Sequence, residues 1–137
     1  MTANIEGFTT VRSPFGPKET LDRLEAAIAS QGMKVFARIN HGALAAEVGL
    51  ELRPTEVVLF GNPRGGTPLM QTAQTIGIDL PLKALVWQDA AALTWLSYLE
   101  PGWLARRHGI QGAGHLIDAM GLAMAALAVK ATSNPAP

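Results

Sequence analysis

Val57-Val58-Leu59-Phe60 is an apolar, partly β-branched run without alternation, and it empties into Gly61-Asn62-Pro63-Arg64-Gly65-Gly66-Thr67-Pro68. A continuous apolar run of this length predicts a central strand covered on both faces. The segment after it is built almost wholly of turn residues and predicts a loop. Thr67-Pro68 then predicts a helix start, with Thr as N-cap and Pro at the first helical position. A strand that passes through a glycine-rich loop into a helix N-terminus leaves backbone N–H groups free. Those donors, with Arg64 beside them, are suited to an anion.

The rest of the chain alternates between strand and helix patterns. Gly7 to Ser13 reads as a strand, and Lys18 to Gln31 as an amphipathic helix with Leu21, Leu24, Ala27 and Ile28 on one stripe. Met33 to Ile39 alternates as a half-buried strand, followed by a short helix from Gly42 to Val48. After the glycine loop, Pro68 to Ile76 predicts a short helix. Leu82 to Gln88 and Leu93 to Leu99 predict two strands joined tightly through Asp89 to Ala92, as a hairpin. Pro101 to His108 predicts a helical turn or two, and His115 to Lys130 a helix with Leu116, Met120, Met124 and Leu127 on one face. Residues 131–137 read as a frayed tail. The order predicts one α+β domain over residues 1–137, with a mixed sheet of about five strands and helices mostly on one face.

Composition removes several functions. Lys+Arg and Asp+Glu number 11 each, so the chain has no basic surplus, and no nucleic acid partner is expected. There is no cysteine, which excludes disulfides, thiolate zinc sites, iron–sulfur clusters and cysteine nucleophiles, and fits a cytoplasmic protein. Met1 to Gly7 lacks a basic region followed by an apolar block, so no signal peptide is read there. The most apolar tract, Ala119 to Val129, is shorter than the ~20 residues of a membrane span, so no membrane partner is expected. No cofactor or metal motif is present. His108 and His115 straddle a glycine hinge without a third ligand.

Several strings together resemble the family of unknown function numbered 302. They are Thr20-Leu21, Val35-Phe36-Ala37-Arg38-Ile39-Asn40-His41, Leu52-Arg53-Pro54-Thr55, Phe60-Gly61-Asn62-Pro63, Gly66-Thr67-Pro68-Leu69-Met70 and Leu80-Pro81-Leu82-Lys83. The likeness runs from about Thr10 to His108. It implies a compact α+β domain, a homodimer, and no settled activity. Two positions depart from the family pattern: Asn40 stands where relatives usually carry Asp, and Leu99 where they usually carry Asn. As a helix cap, Asn40 would serve as well as Asp; as a base or metal ligand, it would not.

His41 sits at a strand-to-helix junction and is the strongest single candidate for acid–base or ligand chemistry. The candidate ligand-binding set is His41, Asn62, Arg64, Gly66 and Thr67, with no catalytic residue assigned. The leading expectation is a module that binds or senses a small anionic ligand, acting as a homodimer. The alternatives are a structural or interaction domain using an apolar dimer surface of tryptophans and the C-terminal helix, and an enzyme with His41 as acid–base. For that enzyme Ser97, Thr67 and Tyr98 are the available hydroxyls. Whether the chain is an enzyme stays open at this stage. The ligand readings require His41 and the glycine loop to face one hollow.

Overall fold

The computed structural model describes residues 5–134; of the predicted frayed tail, residues 135–137 lie outside that range. Five strands, β1 (Phe8–Ser13), β2 (Lys34–Asn40), β3 (Thr55–Gly61), β4 (Leu82–Gln88) and β5 (Thr94–Leu99), form one sheet in the order β1-β5-β4-β3-β2. The helices are α1 (Pro17–Ser30), α2 (His41–Glu47), α3 (Pro63–Thr72), α4 (Pro101–Arg107) and α5 (Gly114–Thr132), with a 3₁₀ turn at Gln74–Ile78. Every strand pairing is antiparallel, where the sequence pattern predicts a mixed sheet. Helix α1 carries the chain across the sheet from the β1 edge to the β2 edge, and each later connection returns it to the neighbouring strand running backwards.

Helices α1 and α5 pack on each other and on one face of the sheet. The apolar stripe of α1 buries Leu21, Leu24, Ala27 and Ile28. It meets Val58 and Phe60 of β3, Ala84 and Val86 of β4, and Leu96 and Tyr98 of β5, joined by Met124, Leu127, Ala128 and Ala131 of α5. Thr20, fully buried in α1, hydrogen-bonds to the Ser13 hydroxyl at 2.7 Å and donates to the Gly16 carbonyl at 2.9 Å, so its polar atom is satisfied inside the core. Gly32 ends α1 with φ +72°, the left-handed region that favours glycine.

Strand β3 is covered on one side only, which corrects the two-sided prediction. Val58 and Phe60 are buried under the helices, but Val57 and Leu59 point to the opposite face and are half-buried. The register brings Ala37 and Ile39 of β2, Leu85 and Trp87 of β4 and Trp95 of β5 onto that same face. Helices α1 and α5 pack on the other side, so among the described residues no helix lies across this one. Apolar residues stood at successive positions of β3 for two different reasons, and the sequence run could not separate them.

Helix α5 spans 19 residues and is long and apolar enough to cross a membrane by length and composition. In this structure it buries Met124, Leu127, Ala128 and Ala131 against α1 and the sheet. It also extends to Thr132, two residues beyond the predicted Lys130.

Candidate functional site

Strand β3 ends at Gly61, and Asn62 follows as the N-cap of α3. Its side-chain Oδ1 accepts the Arg64 N–H at 3.0 Å. Its main-chain oxygen accepts the Gly65 N–H at 2.9 Å and the Gly66 N–H at 3.1 Å. Pro63, at the first helical position, has no N–H to offer. The predicted start at Thr67-Pro68 is therefore corrected: the glycines are helical, Pro68 lies inside α3, and the amides of residues 64–66 are taken by Asn62. The signals at Asn62-Pro63 and Thr67-Pro68 are of the same kind, and the first of them nucleates the helix.

Around this junction the structure forms a cavity of about 490 Å³, within the range of small-molecule sites. Its walls come from five parts of the chain: Met33 and Phe36 before and within β2, Leu59 and Gly61 of β3, Met70 of α3, Leu80 and Pro81 before β4, and Met120 of α5 behind them. The β2–β3 register slips between Val35 and Ala37, so Phe36 sits on a bulge at the cavity wall. Three glycines keep the space open. A Cβ on Gly61 would stand 3.7 Å from the Phe36 ring, one on Gly66 3.6 Å from Leu80, and one on Gly77 3.3 Å from the Met70 sulfur. Asn62 and Thr67 supply the polar groups of the rim.

The structure brings together only part of the predicted set. Asn62, Gly66 and Thr67 line the cavity. Arg64 is exposed on the first turn of α3 and is not among the lining residues. His41 is exposed at the start of α2, at the far end of the sheet. The reason is topological. Lys34 pairs with Gly61 and Asn40 with Glu56, so β2 ends where β3 begins. The two strand-to-helix junctions are thus one strand apart, about 20 Å at the rise of extended chain. Asn40 caps α2 by accepting the Ala43 N–H at 2.9 Å, the cap role that Asn and Asp both fill.

The end of the sheet near His41 has its own concavity, lined by Lys18, Arg38, Asn40, Gly42, Leu52 and Glu56 among others. Its strongest charges are already matched. Arg38 meets Glu56 at 2.6 Å and Glu25 at 2.9 Å, and the Glu56 hydrogen bond above all holds the guanidinium above the usual arginine range. Ser97 is buried, accepting the Trp87 indole N–H at 2.9 Å and hydrogen-bonded to Thr10 at 2.9 Å. Sequence reading missed Met33, Phe36, Met70 and Leu80 as cavity residues and placed Met120 in the core. Apolar side chains that line a hollow carry the same periodicity as those that fill one.

Residues 9–127 match the model of the family described as "Domain of unknown function DUF302". The chain belongs to that family. A crystal structure of an uncharacterized conserved DUF302 protein from Bacillus stearothermophilus superposes with a TM-score of 0.84 at 21% identity, covering 93% of this chain and 99% of that one. It shares the fold. Two curated relatives are named "Fluoride-specific ion channel FluC 1", from Brucella suis biovar 1 (strain 1330) and Brucella abortus biovar 1 (strain 9-941). Each is 50% identical over 104 residues, 76% of this chain. The match covers 41% of the first protein and 38% of the second, so the chain spans about two fifths of the curated relatives it matches.

Proposed function

We propose that this domain binds a small, predominantly apolar molecule in the cavity at the β3–α3 junction. The observation that carries the reading is the lining itself: methionine, phenylalanine and leucine side chains around a volume of about 490 Å³, held open by three glycines. Three of the wall residues are methionines, whose flexible, polarizable side chains adapt to varied shapes. Asn62 and Thr67 at the rim orient one polar end of the ligand. This revises the anionic ligand expected from the sequence. The amides that would have held an anion are occupied, and Arg64 and His41 stand outside the cavity. Fluoride, the ion in the names of the Brucella relatives, finds no cation among the lining residues either. In those longer proteins the matched part would act as a binding unit attached to another.

The test is thermal stability of the protein against panels of neutral apolar and of anionic small molecules. Binding only the folded state raises the melting temperature, by about 2.7 kcal/mol of stability at a hundredfold excess over Kd. Neutral apolar compounds should raise it, and Gly66→Leu, which fills the cavity from α3, should abolish the shift while leaving the fold intact. A shift from anions alone, or one unaffected by Gly66→Leu, would refute the cavity as the site.

A second reading concerns self-association, and the uncovered sheet face favours it. Ile39, Val57, Leu59, Leu85, Trp87 and Trp95 form a half-buried apolar surface there. Trp87 and Trp95 stack at 6.2 Å with their indole N–H groups already donated to Ser97 and Asp89, which leaves ring faces for a partner. Five strands about 4.8 Å apart and about 20 Å long present about 400 Å² in projection. Side-chain relief brings the accessible area toward the ~800 Å² per partner of a standard interface. The occupant we assign is a second copy of this chain. Leu59 belongs to both this face and the cavity wall, so the two readings are compatible.

A further inference from the structure

Outside the cavity, three side chains from two distant segments meet at the surface. The 3₁₀ turn carries Thr75, Asp79 follows it, and His108 caps the C-terminus of α4. The Thr75 Oγ1 lies 2.9 Å from His108 Nδ1, and His108 Nε2 lies 2.5 Å from an Asp79 carboxylate oxygen. The imidazole is 9% exposed and the carboxylate 14%, whereas Thr75 is open to solvent. An ionised carboxylate only accepts, so in the neutral imidazole Nε2 carries the hydrogen and the Nδ1 lone pair faces the threonine hydroxyl. Arg107 approaches the other Asp79 carboxylate oxygen at 3.6 Å. The Lys83 ammonium donates to the Asp79 main-chain oxygen at 3.0 Å and fixes the turn.

This is the arrangement of a nucleophile, its base and the group that orients the base. Ile78, 78% exposed, stands three residues after Thr75, on the same side of a 3₁₀ turn, where it offers an apolar rest for an acyl substituent. We propose that Thr75 is an activated nucleophile that accepts the acyl group of small activated esters. Its Oγ attacks the carbonyl carbon while His108 Nδ1 takes the hydroxyl proton. The tetrahedral adduct collapses, the carbon–oxygen bond to the leaving alcohol breaks, and the proton on Nδ1 passes to that oxygen. Water, deprotonated by the same nitrogen, attacks the threonyl ester; the acyl carbon–Oγ bond breaks, Thr75 Oγ takes the proton back from Nδ1, and the acid is released. Asp79 is the positioning residue, holding the ring in the tautomer the step needs.

The experiment treats the whole protein with p-nitrophenyl acetate, following nitrophenol release and locating the acetyl group by peptide mass spectrometry. The expected product is acetyl-Thr75. Thr75→Ser should keep it, Thr75→Val should lose it, and His108→Gln should slow it about 100-fold. Asp79→Asn should lower the maximal labelling rate while leaving the half-saturating ester concentration unchanged, a split that a merely structural carboxylate would not cause. Acetyl groups found only on lysines, or Thr75 labelling at an unchanged rate in His108→Gln, would overturn the proposal.

Discussion

Asn62 shows how one side chain decides what a loop can do. With its carboxamide and its own carbonyl it takes the amides of Arg64, Gly65 and Gly66, and the glycine-rich stretch becomes a helix instead of a cradle. Asp89 organises the β4–β5 turn in the same manner. Its carboxylate accepts from the Ala91 and Leu93 amides at 2.9 and 3.0 Å and from the Trp95 indole at 2.9 Å. The Trp95 hydrogen bond first, and then the Leu93 amide, hold this carboxyl below the ordinary aspartate range. A carboxyl depressed in the folded state binds its proton less readily there than in the unfolded chain. Its contribution is therefore complete above the ordinary aspartate value and is lost as pH falls through the lower folded value. Urea denaturation from neutral to strongly acidic pH should show Asp89→Ala less stable than wild type at neutrality. The gap should narrow through that acidic window, and a constant gap would contradict the assignment.

At the scale of elements, α5 is a core helix. Removing the chain after Gly114 would strip Met124, Leu127, Ala128 and Ala131 from the main core, so the expected result is an unfolded chain and not a folded monomer. A milder probe is Leu127→Ala. The side chain is 1% exposed, and its loss should cost about 2–5 kcal/mol in urea denaturation. A cost under half a kcal/mol would mean that the helix is peripheral. Most elements were legible in the sequence because their patterns are local. The stripe of α1, the alternation of β2 and the β4–β5 hairpin appear at or within a few residues of their predicted positions. The start of α3 was not legible, since two Asx- or Thr-plus-proline signals five residues apart compete and nothing local ranks them. The side of the sheet on which Val57 and Leu59 lie was also hidden, since it depends on where α1 and α5 come to rest.

For the molecule as a whole, the open face makes a quantitative claim on oligomeric state. Leu85 lies in the middle strand of the sheet, half-buried, with Val57 and Ser97 as its lateral neighbours. Leu85→Asp places a charge at the centre of the proposed contact without touching the helix-covered core. Light scattering should find a dimer for the wild type and a monomer of unchanged secondary structure for the variant. A wild type that stays monomeric at high micromolar concentration would defeat the self-association reading. The candidate site was only half legible. Asn62, Gly66 and Thr67 were found because they cluster in sequence, and the methionines and Phe36 were not because the cavity gathers them from three distant segments. The pairing of His41 with the glycine loop assumed that successive junctions share an end of the sheet, which holds for parallel strands. Here the strands run in opposite directions.

That alternation of strand direction partitions the molecule. His41 and Gly61 lie at opposite ends of the β2–β3 pair, and no side-chain hydrogen bond or ion pair among the described residues joins the two. Variation at one margin is free to accumulate without consequence at the other, so a lineage can re-specify what the cavity accepts while keeping the remote helix cap unchanged. Substitutions drawn one from each margin should then sum in their effects on stability, as distant and independent sites do.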